Sequence, residues 1–517
     1  MAEPVAHRPL RRVLIANRGE IARRLITACR ELGLAAVAIA SDPDADADWH
    51  RDADAVLRLP GASAAETYLA EDRILDAARA LGADAVHPGY GFLSERASFA
   101  EACAAAGLVF IGPSPSAMRA LGAKIDALAA ARAAGVPTVP GVRGDQRSDA
   151  ALRDAASEIG FPVLIKASAG GGGRGMRRVE RAEDIADALD AARAEAGSAF
   201  GDARVLIEKY FDRARHVEVQ VLGDRHGNVR HLFERECSIQ RRYQKIVEEA
   251  PSPGIDADLR SRMTTAAVDL ARSVGYASAG TVEFLVDGDA FYFLEMNTRL
   301  QVEHPVTEVV TGIDVAMWQI RVAAGEALPW PQDALGLRGH AIEARVYAED
   351  PASGFMPSIG PIGLWRPPAG PGLRCDDGIA TGDRITPHYD AMIAKVIAGA
   401  ATRAEAIARL RRALRDTVAL GVATNLLFLD AVLAHPAFAA GETHTRFLDE
   451  HLAGWRPPAL DGTDADDAFL AAAALEALSG AGSGFGAGDT VGAEGMAPDP
   501  WADAGRWRNV VVPLTGG

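Results

Sequence analysis

The stretch GTVEFLVDGDAFYFLEMNTRLQVEHP, Gly280 to Pro305, constrains the fold more than any other part of the 517-residue chain. Two strand-like runs, VEFLV and AFYFLEMN, flank an Asp-Gly turn, which signals a hairpin because both turn residues tolerate a positive φ. From Glu295 onward every second residue is polar: Glu295, Asn297, Arg299, Gln301 and Glu303. Side chains in extended backbone repeat every two residues, so all five are expected on one face. Alternation alone describes the solvated face of an edge strand. Acid, amide, arginine, amide, acid is a richer set than solubility needs, and it suits a metal ion held beside an anion. Glu283 on the partner strand reaches the same face as Glu295. Two carboxylates with an amide oxygen, Glu283, Glu295 and Asn297, suit Mg²⁺, a hard cation that keeps substrate phosphates in its shell.

A second stretch, KASAGGGGRGM from Lys166 to Met176, sets a glycine loop between a lysine and a methionine. Gly170, Gly172 and Gly175 satisfy G-x-G-x-x-G, but that dinucleotide fingerprint requires a helix after the loop. Here PVLIK before it and MRRVE after it both read as strands, and no helix start signal follows. The P-loop pattern is not met either. The loop is therefore expected at the tip of a hairpin, either as a plain surface turn or as a flap whose bare N–H groups close over phosphates.

Only five of the 54 basic residues are lysine: Lys124, Lys166, Lys209, Lys245 and Lys395. A chain so biased has taken arginine wherever either cation serves, so the surviving lysines mark places that need a compact ammonium. Three of them, Lys166, Lys209 and Lys245, fall in the region of the glycine loop and the carboxylates, which together make a Mg-ATP site. The net charge of −16 argues against nucleic-acid binding. The sequence shows no signal-peptide core and no apolar run of membrane-spanning length, which reads as a cytoplasmic protein. Four scattered cysteines with no C-x-x-C pair fit reduced thiols.

Along the chain, the strand RVLIAN, a helix from Gly19 to about Leu32 and the strand LAAVAIA open a doubly wound α/β domain. The strand-like DAVHPGY and GLVFIGP continue it. A helix from Lys124 to about Ala134 leads to the hinge-like GVPTVPG. Beyond residue 340, HAIEARVYAED, GPIGLW and AMIAKVIA are strand-like, and Thr402 to about Ala419 reads as an amphipathic helix of an α+β domain. Pro457-Pro458 precedes an Ala-rich helix, a Gly-rich linker and the segment DPWADAGRWRNVVVPL.

The ordered motifs ANRGEIA, HPGYGFLSE, KASAGGGGRGM, RHVEVQ, QKIVEEAPSPG and EMNTRLQVEHPVTE resemble those of the biotin carboxylases, the ATP-grasp components of biotin-dependent carboxylases, from about Arg11 to Arg446. The resemblance implies a doubly wound N-terminal domain over residues 1–122 and an ATP-grasp domain over 123–338 with its glycine-rich lid at about 138–212. A C-terminal α+β domain over 339–455 follows, then a helix, linker and incomplete start of a tethering domain over 456–517. That last segment is similar to the start of the tethering region in 3-methylcrotonyl-CoA carboxylase α subunits.

The implied activity is ATP-dependent carboxylation of biotin by bicarbonate through carboxyphosphate, as the first half-reaction of an acyl-CoA carboxylase. By the same resemblance, Lys124, Lys166 and His216 contact ATP, Gly172 and Gly173 lie over its phosphates, and Glu208, Lys209, Tyr210, Phe211 and Leu285 line the adenine pocket. Tyr243 stands at a ribose-side position where many members of the family have histidine. Glu283, Glu295 and Asn297 hold Mg²⁺ or Mn²⁺. Lys245, Arg299, Gln301 and the backbone of Val302 hold bicarbonate, Glu303 is its general base, and Arg345 stabilises charge on biotin.

No Met-Lys pair occurs in the sequence, and the family's biotinylated lysine sits in one. The carrier is therefore expected to be a separate chain or to have been removed, and the expected partners are a biotin carboxyl carrier domain or protein, a carboxyltransferase β subunit and further copies of this chain in a dimer or larger complex. Two other readings remain at this stage, a carbamoyl-phosphate-type ligase and a catalytically silent assembly subunit. The absence of a second ATP-grasp half argues against the first, and the intact Glu303, Arg299 and Arg345 argue against the second. The scarcity of lysine gives one test. Lys→Arg is expected to lower the steady-state ATPase rate sharply at Lys124, Lys166, Lys209 and Lys245 and to be tolerated at Lys395, because a guanidinium is broader than an ammonium and prefers a bidentate partner.

Overall fold

The computed structural model describes residues 7–143, 149–167, 176–200 and 204–458. The expected helix after Pro458, the Gly-rich linker and the tethering segment lie outside the described residues. Up to Pro457 the chain forms one compact unit.

Five parallel strands open the fold: β1 (Arg12–Ile15), β2 (Ala35–Ser41), β3 (Ala55–Leu59), β4 (Ala85–His87) and β5 (Val109–Phe110). Their order is β3-β2-β1-β4-β5, so the winding direction reverses between β1 and β4 as in doubly wound folds. The helix Gly19–Glu31 starts as expected and buries Ile21, Leu25 and Ile26 on its inner side. Asn17 fixes the switch point, its amide donating to the carbonyls of Pro88 at 2.6 Å and Tyr90 at 2.7 Å.

A small four-stranded sheet follows: β6 (Gly141–Arg143), β7 (Val163–Ala167), β8 (Met176–Val179) and β9 (Val205–Lys209), in the order β6-β9-β7-β8. β7 and β8 pair antiparallel with Lys166 opposite Met176, so the strands on either side of the glycine loop are those of a hairpin. The loop itself, including Gly172 and Gly173, lies outside the described residues.

The largest sheet has eight antiparallel strands: β10 (Arg215–Gly223), β11 (Val229–Arg241), β12 (Gln244–Ala250), β13 (Ser278–Asp287), β14 (Ala290–Asn297), β15 (His340–Tyr347), β16 (Leu373–Asp377) and β17 (Met392–Ala400). Their order is β14-β13-β10-β11-β12-β15-β17-β16. The pairing of β12 with β15, Glu248 opposite Glu343, carries the sheet without a break past residue 338. Apolar faces of β10 and β13 pack on the helix Ala257–Ser273 through Val217, Val219, Val282, Met263 and Ala267. The helix Arg403–Asp416, capped by a reciprocal Thr402–Glu405 box, covers β15 and β17 at the other end. Among the described residues no helix is long and apolar enough to cross a membrane. All four cysteines are unpaired.

One expectation fails. The strand does not run through to Glu303 but stops at Asn297. Beyond it the Thr298 N–H turns away to the Glu95 carboxylate at 3.0 Å, and the helix His304–Thr311 begins at Glu303 with Pro305 in its first turn. The alternation thus holds for Glu295 and Asn297, while Arg299, Gln301 and Glu303 reach the same region from a loop.

The C-terminal part touches the first helix so closely that a Cβ at Gly378 would overlap the main chain of Gly19 and Glu20. Gly378→Ala is expected to destabilise the fold by about 1–3 kcal/mol, the usual cost of overpacking, read as a lowered midpoint in urea unfolding. An unchanged midpoint would show that the contact is loose.

Candidate active site

The Lys245 ammonium is the meeting point of the polar residues. It donates to Glu218 Oε2 at 2.6 Å, Glu303 Oε1 at 2.8 Å and Glu283 Oε1 at 2.9 Å. All three carboxylates are buried. Burial alone would drive the Lys245 proton off, but the three negative charges outweigh it and hold the pKa well above the usual range. Arg235, with no solvent exposure, braces Glu218 at 2.6 Å and also donates to Gln220, Thr281 and Thr307.

Glu303 is gripped from two sides, Oε1 by Lys245 and Oε2 by Arg345 at 2.9 Å. Burial raises its pKa, yet Lys245, Arg345 and Arg235 together push it well below the ordinary carboxylate value. It is therefore ionised across neutral pH. Arg345 also donates from Nε to Glu248 Oε1 at 2.6 Å, and it is itself almost wholly buried. Glu248 is different. Its Oε2 is buried with no hydrogen-bond partner among the described residues, and burial lifts its pKa to about 7 against the pull of Arg345.

Glu283 and Glu295 are direct cross-strand partners, next to an irregularity that pairs Phe284 with Phe293. Glu283 Oε1 also accepts from Asn297 at 2.8 Å and Gln301 at 3.0 Å, while His216 Nε2 lies 2.8 Å from its Oε2. Burial raises Glu283, but Lys245 and His216 hold it well below the ordinary range. The Glu295 carboxylate accepts no hydrogen bond among the described residues, and burial and then the Glu283 charge raise its pKa. A free carboxylate destabilised by a neighbouring carboxylate fits a divalent cation, and oxygen ligands from Glu283, Glu295 and Asn297 suit Mg²⁺ or Mn²⁺. Arg299 lies alongside, donating to Asn297 Oδ1 at 2.9 Å, Gln301 Oε1 at 3.0 Å and Glu95 Oε2 at 3.0 Å.

Gly172 and Gly173, expected at the nucleotide, lie outside the described residues. Lys166 pairs with Glu208. Lys124, at the start of the helix Lys124–Ala133, has its pKa lowered by burial, with Glu295 and Glu208 opposing. The Lys209 ammonium is taken by the carbonyls of Gly160 at 2.9 Å and Phe161 at 3.1 Å. Tyr210 lies under Arg178, and Phe211 stacks on Tyr292 with ring centroids 5.2 Å apart. Leu285 pairs with His216 in the sheet, and His216 Nδ1 lies 2.7 Å from Gln240 Nε2.

Tyr243 is 60% exposed. It shares with Arg242 a two-residue hairpin turn at φ +67° and +49°, a left-handed conformation that non-glycine residues adopt only under strain.

Lys395 overturns the expectation that arginine would be tolerated there. It has no exposure and donates to the Val302 carbonyl at 2.9 Å, with Glu20 Oε2 at 3.2 Å. A guanidinium has no room in such a place.

Sequence reasoning missed Glu218, Arg235, Glu248 and Glu95. Glu218 lies between Val217 and Val219, whereas Arg235 lies between Glu234 and Glu236 and Glu248 beside Glu249, so that these two read locally as charged, solvated stretches. In RHVEVQ the alternation of His216, Glu218 and Gln220 was the available signal.

The arrangement is that of an ATP-grasp ligase: a small hairpin sheet, and a large sheet whose carboxylate pair, fit for a divalent cation, adjoins the buried Glu303 carboxylate. Three family models match the chain: "Biotin carboxylase, N-terminal domain" at residues 9–118, "Carbamoyl-phosphate synthase L chain, ATP binding domain" at 123–330 and "Biotin carboxylase C-terminal domain" at 343–450. A biotin carboxylase of Halalkalibacterium halodurans is 50% identical over 86% of this chain and 98% of its own length. The methylcrotonoyl-CoA carboxylase subunit alpha of Rattus norvegicus is 48% identical over 85% of this chain, which spans only 62% of that subunit. Among solved structures, the biotin carboxylase domain of Hydrogenobacter thermophilus 2-oxoglutarate carboxylase, in complex with MgADP, ADP and bicarbonate, is similar with a TM-score of 0.83 and 45% identity. The match covers 88% of this chain and 100% of that one. The Campylobacter jejuni biotin carboxylase has a TM-score of 0.82 and 44% identity, covering 86% and 99%. The chain belongs to the biotin carboxylase family.

Glu248 gives a pH signature. A carboxyl raised from its ordinary 4.5 to about 7 in the fold contributes stability that is complete below pH 4.5 and lost as pH rises through about 7. The melting temperature of Glu248→Gln, relative to the unaltered protein, is therefore expected to climb across that window. A difference that stays flat with pH would place the Glu248 carboxyl at its ordinary value.

Proposed function

We propose that this chain carboxylates biotin with bicarbonate at the expense of ATP, as the first half-reaction of an acyl-CoA carboxylase. The observation that carries this reading is the Glu303 carboxylate, buried between Lys245 and Arg345 and adjoining a carboxylate pair fit for a divalent cation. Its relatives' names and the ligands of the Hydrogenobacter structure support the same reading.

In this reading Glu283, Glu295 and Asn297 hold Mg²⁺ or Mn²⁺, which when bound supplies charge neutralisation on the nucleotide phosphates. Lys124, Lys166 and His216 meet the ATP phosphates, with Gly172 and Gly173 above them and Glu208 to Phe211, Tyr243 and Leu285 around the nucleoside. Lys245, Arg299, Gln301 and the Val302 backbone hold bicarbonate. Glu303, ionised, takes its proton, so that a bicarbonate oxygen attacks the γ-phosphorus, ADP leaves and carboxyphosphate forms. Carboxyphosphate breaks down to CO₂ and phosphate, the freed phosphate takes the ureido N–H proton of biotin, the nitrogen attacks CO₂, and Arg345 offsets the enolate charge. The domain limits stated from the sequence belong to the same proposal, as do a biotin carrier and a carboxyltransferase chain as partners, a dimer or larger assembly and a cytoplasmic setting.

Purified protein is expected to hydrolyse ATP in a bicarbonate-dependent manner, faster with free biotin. Hydrolysis indifferent to both additions would sink the reading. Glu303→Gln is expected to lower kcat by about 10²-fold or more, as the loss of a general base does, with the KM for ATP close to unchanged. Full turnover with weakened ATP binding would mean that Glu303 contacts the nucleotide and not bicarbonate.

A further inference from the structure

Two buried donors grip the Gln301–Val302 segment from behind. His304 Nδ1 lies 2.8 Å from the Gln301 carbonyl oxygen, and Lys395 Nζ lies 2.9 Å from the Val302 carbonyl oxygen. A carbonyl only accepts, so His304 carries its proton on Nδ1. The ring stays neutral, because burial and then the charges of Lys395, Arg24 and Arg374 hold its pKa well below the usual value.

The peptides concerned are trans, since the cis bonds of the described chain are Phe161-Pro162 and Ala250-Pro251. In a trans peptide the N–H points opposite to the C=O of the same unit. Holding the Gln301 carbonyl thus sets the direction of the Val302 N–H, and holding the Val302 carbonyl sets that of the Glu303 N–H. The Gln301 and Glu303 side chains follow from the same fixed backbone.

Lys395 is braced in turn. Its ammonium lies 3.2 Å from Glu20 Oε2 on the first helix and 3.7 Å from Asp376 Oδ2 on β16; its register partner on β15 is Arg345, and the charge of Glu343, two residues along that strand, also favours the ammonium. Asp376 is locked by Arg374 at 2.7 Å, and Arg374 by Glu308 at 2.6 Å. The clamp therefore draws on the N-terminal helix, the C-terminal strands and the helix that follows the loop. A compact ammonium with three freely directed donors suits this closed space, where a planar guanidinium does not.

We propose that His304 and Lys395 are positioning residues for the anion site, clamping two successive carbonyls so that the loop presents Gln301, the Val302 N–H and Glu303 in register. The proposal rests on the bicarbonate reading above. Three variants test it: His304→Phe, which keeps the ring shape without a donor; His304→Asn, whose amide nitrogen can take the place of Nδ1; and the double variant Lys395→Met with Glu20→Gln, which removes the ammonium together with the carboxylate nearest to it and leaves Asp376 held by Arg374.

His304→Phe and the double variant are expected to raise the KM for bicarbonate roughly tenfold or more while the KM for ATP stays within about twofold, and His304→Asn to recover most of the loss. The clamp is refuted if both KM values move together, if neither moves, or if Phe and Asn behave alike. Nitrogen-15 NMR of histidine-labelled protein, with His304→Asn to assign the signal, supplies a readout independent of turnover. A neutral ring protonated on Nδ1 supports the clamp, and one protonated on Nε2 overturns it. Should the unaltered protein hydrolyse ATP without regard to bicarbonate, the activity reading falls and the tautomer still decides the clamp.

Discussion

One ammonium holds three buried carboxylates apart and together, and the rest of the site depends on it. Glu218, Glu283 and Glu303 come from two strands and a loop, and each would pay a large desolvation cost alone. Lys245 lies on β12, three strand positions from Glu283 on β13 in the sheet order. On a flat sheet that separation is about 14 Å, more than the two side chains span. The sheet must curl for them to meet, and the register shifts of β11 between Glu236 and Gln240 lie where the curl is needed. Packing, irregular pairing and charge thus converge on one point.

What could be read from the sequence follows from distance along the chain. The hairpin put Glu283 and Glu295 on neighbouring strands, and its two-residue turn sets the register from Asp287 opposite Ala290 as far as Phe284 opposite Phe293. That register alone would set Glu283 opposite Leu294, and the irregularity between Glu283 and Phe284 is what brings it opposite Glu295. Alternation was carried too far because its signal does not record where backbone hydrogen bonding stops. The Glu95 carboxylate, some two hundred residues away in sequence, is what takes the Thr298 N–H. Glu218, Arg235 and Glu248 were hidden for a related reason. Locally, Glu234-Arg235-Glu236 and Glu248-Glu249 read as solvated charges, yet all five are buried, and a buried charge makes sense only beside its partner on another strand.

Lys395 shows the same limit from the other side. Scarcity of lysine marked it as a residue with a reason to stay, and its strand-like setting suggested that the reason was weak. Both signals were local. The Val302 carbonyl and the Glu20 carboxylate, which require it, arrive from a loop and a helix far away in sequence.

The electrostatics of Glu303 leave a tension that the substrate itself can resolve. Lys245 and Arg345 keep the carboxylate ionised, but a carboxylate held so far below its ordinary range binds a proton poorly and makes a weak base. Those two cations are also the groups that an incoming bicarbonate and the charge developing on biotin would engage. In the proposed reaction Lys245 would turn part of its charge to bicarbonate, and the hold on Glu303 would slacken, raising its proton affinity when a proton is there to be taken. A base strengthened only by the proposed substrate would stay ionised in the free protein without having to be exposed to water.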